Sequence, residues 1–137
     1  MAVVDASVCT EAFSEGPRVE AARDAISGNR GDLFAPHLID AEVGHSLRRL
    51  NLRGAISTET VESSLAYLTD LPLTRTPHTM LLGEAWTMRE NVSFYDALYV
   101  ALAKLLGTPL LTFDGRLARA ASKLGVETEL LAEVDEK

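Results

Sequence analysis

The chain has 137 residues, 47% of them hydrophobic, which is enough for one domain with a sizeable core. Its 13 Lys and Arg face 20 Asp and Glu, a formal charge of −7, which argues against a broad basic face that grips nucleic acid while leaving nucleic acid open as a substrate. No apolar run reaches the roughly 20 residues that cross a bilayer, no basic leader opens the chain, and one cysteine, Cys9, allows no internal disulfide, so the expectation is a cytoplasmic protein without a membrane partner.

Short strand-like runs alternate with helical ones, the pattern of an α/β domain with a mainly parallel sheet, expected here as one unit over residues 1–137. Ala2 to Asp5 reads as the first strand, and a short helix follows near Ser7. After the turn Ser14-Glu15-Gly16-Pro17 a helix runs from Arg18 to Ser27. Leu33 to Ala35 is a second strand. Pro36 leads into a helix from Leu38 to Leu52 that carries Ile39, Val43, Leu47 and Leu50 on one face.

Ser57 or Thr58 caps the next helix, with Val61, Leu65 and Leu68 inward, and Leu71 to Thr74 form a strand whose proline places it at an edge. Pro77 opens a helix to Arg89 with Leu81, Leu82, Ala85 and Trp86 as its apolar stripe and Trp86 as a core anchor. Ser93 starts a helix in which Leu98, Ala101, Leu102 and Leu105 keep helical spacing until Gly107 and Pro109. Leu110 to Phe113 is the fourth strand, Arg116 to Leu124 the last helix, Val126 to Leu131 a final strand, and Glu133 to Lys137 a solvated tail.

Four acids stand where a strand or turn meets a helix: Asp5, Glu42, Asp96 and Asp114. Carboxylates gathered at the carboxyl edge of such a sheet make a hard-oxygen site suited to magnesium or manganese. Each also has a local reading. Ser93 and Asp96 fit a capping box, Asp114 before Gly115 fits a turn or N-cap, and Asp5 ends an apolar strand, where a charge needs partners. Asp40 rivals Glu42, lying roughly 200° away around the same helix, and periodicity leaves the choice open. Neither a nucleophile elbow nor a phosphate-binding P-loop occurs. His37, His45 and His78 fall outside the four acid signatures and read as surface or helix-face residues, with His45 and Arg49 on the helix face of Glu42; Arg48, Arg49, Arg53, Arg116 and Arg119 supply a local basic rim.

The segments Val3 to Ser7, Pro36 to Val43, Tyr95 to Ala103 and Leu110 to Leu117, in this order and over nearly the whole chain, resemble the PIN-domain proteins, and more narrowly the VapC-type toxins of bacterial toxin–antitoxin pairs. The resemblance implies a three-layer α/β/α fold around about five mainly parallel strands. It implies a magnesium-dependent endoribonuclease, with manganese able to substitute, whose catalytic and metal-binding acids match Asp5, Glu42, Asp96 and Asp114 here. Glu42 is preferred over Asp40 on that ground alone. Ser7 and Thr112 match supporting hydroxyl positions, and Asp114 is followed by Gly115-Arg116 with no second acid nearby. RNA as substrate, a cognate antitoxin and a homodimer are the implied partners. The rival readings are a PIN-fold nuclease outside any toxin pair and a non-catalytic PIN-fold binding module.

Overall fold

The computed structural model describes residues 1–132, so the tail expected from Glu133 onward lies outside the described residues. Five strands, β1 (Ala2–Val4), β2 (Leu33–Pro36), β3 (Leu73–Thr76), β4 (Leu110–Thr112) and β5 (Thr128–Leu130), alternate with helices α1 (Ala6–Phe13), α2 (Val19–Gly28), α3 (Leu38–Leu52), α4 (Thr58–Asp70), α5 (Leu82–Thr87), α6 (Phe94–Leu106) and α7 (Gly115–Lys123). The sheet has the order β3-β2-β1-β4-β5 and every neighbouring pair is parallel, the α/β architecture expected.

Chain order and strand order together fix the layers. The connections from β1 to β2 to β3 step one way across the sheet, and those from β3 to β4 to β5 step back. Right-handed crossovers therefore put α1 to α4 on one face and α5 to α7 on the other. Between β1 and β4 the direction reverses, and the carboxyl ends of these strands open a crevice. Val3 and Val4 pair with Leu110 and Leu111 there, all four almost fully buried.

The helix α6 is the core helix. Every residue from Ala97 to Ala103 is buried, so its apolar surface runs all round, and it packs on β1, β2, β4 and α5. Its ends are well marked: Ser93 Oγ accepts from Asp96 N–H at 3.2 Å, and Gly107 closes it at φ 63°, a left-handed cap that glycine takes without strain.

The structure corrects the start of one strand, the extent of one helix and the facing of four apolar side chains. The third strand is at the sheet edge, but starts at Leu73 because α4 continues to Asp70 and Pro72 has no N–H for a ladder. The helix expected from Pro77 to Arg89 is broken: a 3-10 turn over His78–Met80 precedes α5, which ends at Thr87. Its buried side is Leu81, Ala85 and Met88, spaced four and three apart, which turns Leu82 and Trp86 outward; Trp86 is 60% exposed and anchors no core. By the same geometry Leu65 and Leu105 face solvent beside the buried Leu68, Ala101 and Leu102.

Candidate functional site

Asp5 is the residue immediately after β1 and the N-cap of α1. It is buried, and its carboxylate is met by donors. Oδ1 accepts from Ser7 N–H at 3.0 Å, Ser7 Oγ at 2.5 Å and Val8 N–H at 3.3 Å, while Oδ2 accepts from the Thr112 hydroxyl. Burial pushes its carboxyl up to about 6, against the lowering effect of those hydrogen bonds.

The two hydroxyls do more than serve Asp5. Ser7 Oγ accepts from Phe113 N–H at 3.0 Å, and Thr112 Oγ1 accepts from Asp114 N–H at 2.9 Å. Each thus couples the end of β1 to the end of β4 and fixes where Asp114 leaves the sheet. Asp114 caps α7 through Oδ1, which accepts from Arg116 N–H at 2.9 Å and Leu117 N–H at 3.3 Å, so the turn-and-cap reading of this residue describes its local geometry.

Glu42 enters from α3 and accepts a 2.6 Å hydrogen bond from the hydroxyl of Tyr99, a fully buried side chain of α6. Burial raises the Glu42 carboxyl, the Tyr99 bond lowers it, and the negative charge of Asp96 raises it further. Asp96 sits in the first turn of α6. Its carboxyl is raised by burial, lowered by Ser93, raised by Asp114 and lowered by the Arg116 guanidinium. Glu42, Asp96 and Asp114 therefore form a chain of repelling carboxylates, each acting on the next, and the buried Asp5 is linked to Asp114 through Thr112, whose hydroxyl donates to Asp5 and accepts from the Asp114 amide.

Asp40 is engaged elsewhere. Its oxygens take a two-pronged contact from Arg75, Nε to Oδ2 at 2.7 Å and Nη2 to Oδ1 at 2.9 Å. The same guanidinium donates to the carbonyl oxygens of Leu68 at 2.8 Å and Leu73 at 3.3 Å. The two acids of α3 thus part as their 200° separation demands, Asp40 to the sheet edge and Glu42 to Asp96.

Two participants escaped the sequence. Tyr99 was given no role from sequence, and no local pattern links it to Glu42, 57 residues away. His78 read as surface, yet its Nε2 accepts from Leu38 N–H at 2.8 Å and so closes the start of α3, whose own N-cap, His37, makes no side-chain cap bond. Arg116 was assigned to a rim and stands close enough to Asp96 to act on its charge.

No three His, Cys, Asp or Glu side chains among the described residues close into a ready-made metal cage. Magnesium does not ask for one: it keeps several waters and takes one or two carboxylates together with substrate phosphates. The all-oxygen chemistry of Asp5, Glu42, Asp96 and Asp114, and the repulsion that a cation would relieve, fit such an ion.

The family profile of the PIN domain matches residues 2–123. The chain belongs to the PIN domain family. Within it the sequence is similar to Ribonuclease VapC1 of Mycobacterium tuberculosis (strain H37Rv), 46% identical over 131 residues that span 94% of this chain and 96% of that protein. The PIN fold is also shared with two crystal structures. One is Mycobacterium tuberculosis VapC20, described as a Sarcin-Ricin loop cleaving toxin, with TM-score 0.68 and 18% identity over 88% of this chain and 95% of that one. The other is VapBC2 from Rickettsia felis bound to a DNA fragment from its promoter, with TM-score 0.67 and 14% identity over 96% of this chain and 98% of that one. These two likenesses carry the fold; the VapC1 likeness carries the family.

Proposed function

We propose that this PIN-domain chain is a magnesium-dependent endoribonuclease toxin held in check by a cognate antitoxin. The observation that carries the reading is the coupling of Glu42 to Asp96 and of Asp96 to Asp114, with Thr112 bonded both to the buried Asp5 and to the amide of Asp114 where β4 ends beside β1. The relative of highest identity described above is a ribonuclease, which sets the substrate class.

In this reading Asp5 and Asp96 are the principal ligands, with Glu42 and Asp114 acting directly or through water. The ion supplies an acidified water and offsets charge on the phosphate in the transition state. The chain's own residues do the rest. Ser7 and Thr112 hold the Asp5 carboxylate by hydrogen bonds to both its oxygens. Tyr99 fixes Glu42 from the core. Asp114, tied by its own N–H to Thr112, is held at the mouth of the crevice. No histidine is needed as a general base.

An antitoxin partner follows the VapBC2 likeness, and a homodimer is part of the same proposal. The cellular test is expression without a partner. Wild type should arrest growth and Asp96→Ala should relieve the arrest at equal protein level; equal toxicity of the two would remove the toxin reading.

A further inference from the structure

A site made of four acids repels the polyanion it is meant to cut, in a chain that already carries −7. Something beside the acids must hold RNA, and the structure narrows the choice. The helix N-termini at the crevice are closed by their own caps: Asp5 takes the amides of Ser7 and Val8, Ser93 that of Asp96, and Asp114 those of Arg116 and Leu117. Arg75, on the same side as α3, is committed to Asp40.

Arg89 and Arg116 both line one pocket of about 560 Å³ whose wall also contains Asp96 and Asp114. This volume is that of a small-molecule-sized site. The two arginines differ in kind. Arg116 is the second residue after Asp114, donates its N–H to Asp114 Oδ1 at 2.9 Å and shares the pocket wall with Asp96, so a cation stands next to the acids themselves. Arg89 is held in place: its Nη1 donates to the carbonyl oxygen of Trp86 at 3.1 Å, and its guanidinium carbon lies 4.6 Å from the centroid of the Trp86 ring. The result is an ordered cation–indole stack whose indole is 60% exposed, the type of surface on which unpaired bases stack. Asn91, in the same wall, offers an amide to a base edge.

We infer that this pocket and the indole that adjoins it through Arg89 form a nucleotide subsite for single-stranded RNA, in which Arg116 meets a phosphate flanking the scissile one and the exposed Trp86, outside the pocket wall, receives the adjoining base. The inference rests on the ribonuclease reading above and adds to it where the strand lies and that the strand is unpaired.

Trp86 is the only tryptophan of the chain, so it reports on its own surroundings. A short mixed-sequence single-stranded RNA is titrated into the full chain in EDTA, across a range of salt, with tryptophan fluorescence as the readout. Wild type should show a saturable change. Arg116→Ala should bind about tenfold more weakly with a salt slope lower by about one, Arg116→Lys should retain most of the affinity, and Arg89→Ala should weaken binding and reduce the fluorescence change. Arg30→Ala, exposed in the turn before β2 and so at the opposite edge of the sheet, should match wild type. With magnesium restored, Arg116→Ala should raise KM and leave kcat within about threefold.

Wild-type affinity and salt slope in Arg116→Ala would overturn the subsite. So would a fluorescence change that follows protein concentration and ignores RNA, which would make the Trp86 face a contact between copies. A wild type that cleaves RNA while the arginine variants bind normally removes the subsite and leaves the ribonuclease reading intact. A wild type that binds RNA through Arg116 and never cleaves it does the reverse, and one that neither binds nor cleaves removes both.

Discussion

Asp5 is the residue whose charge the fold treats most expensively. Its carboxyl titrates near pH 6 in the folded chain against an ordinary value of 3.8, because burial outweighs four donated hydrogen bonds. Between these two values the native chain holds a proton that the unfolded chain has released, so Asp5 makes stability fall as pH rises from about 4 to about 6, and the penalty stays constant above that. With magnesium removed, Asp5→Asn should therefore be more stable than wild type at pH 7.5, by on the order of 2–3 kcal/mol, and equal to it near pH 4. Urea denaturation at the two pH values checks this. A difference that does not change with pH would mean that the hydrogen bonds to Ser7, Val8 and Thr112 fully offset the burial.

At this scale Asp5, Asp96 and Asp114 were legible as candidates from their places at a strand end or a helix start, and Glu42, Ser7 and Thr112 only through the family resemblance. Tyr99 and His78 were not, since the groups they bind, Glu42 and the amide of Leu38, are brought to them only by the packing of α3 against other elements.

At the scale of elements, α3 is the piece that has to be aimed. It carries Glu42 on one side and is tied by Asp40 on the other to Arg75, which in turn binds the carbonyl ends of α4 and β3. Arg75→Ala should cost about 1–3 kcal/mol, because it strips a charge-assisted pair and leaves the Leu68 carbonyl without that donor. Asp40→Ala, which leaves the Arg75 bonds to Leu68 and Leu73 in place, should cost less. Chemical denaturation of the two variants ranks them, and a larger loss for Asp40→Ala would show that the pair, and not the bridging of carbonyls, dominates.

Elements with one clear apolar side were read correctly from sequence, as with the inward Ile39, Val43 and Leu47 of α3. The segment after Pro77 was misread because Leu81, Leu82, Ala85, Trp86 and Met88 offer two overlapping stripes, and tertiary packing selects the one through Leu81, Ala85 and Met88. The two-residue shift of β3 has a similar origin: propensity does not show that α4 extends to Asp70 and leaves Pro72 outside the ladder.

For the whole molecule, alternation of short strands and helices was enough to predict a parallel α/β sheet, and the reversal of direction between β1 and β4 explains why Asp5 and Asp114, distant in sequence, leave the sheet side by side. The acidic balance, which argued against a wide nucleic-acid face, agrees with a narrow arrangement in which a few arginines beside the crevice do the holding. The central claim is that Asp5, Glu42, Asp96 and Asp114 act together as one metal-dependent site that cuts RNA. Gel-resolved cleavage of an end-labelled single-stranded RNA by the purified chain, with magnesium or with EDTA, tests it most directly. The account predicts internal cuts with magnesium, none above background in EDTA, and a rate at least about a hundredfold lower for Asp96→Asn. Cleavage that persists in EDTA, or is undiminished in Asp96→Asn, would contradict it.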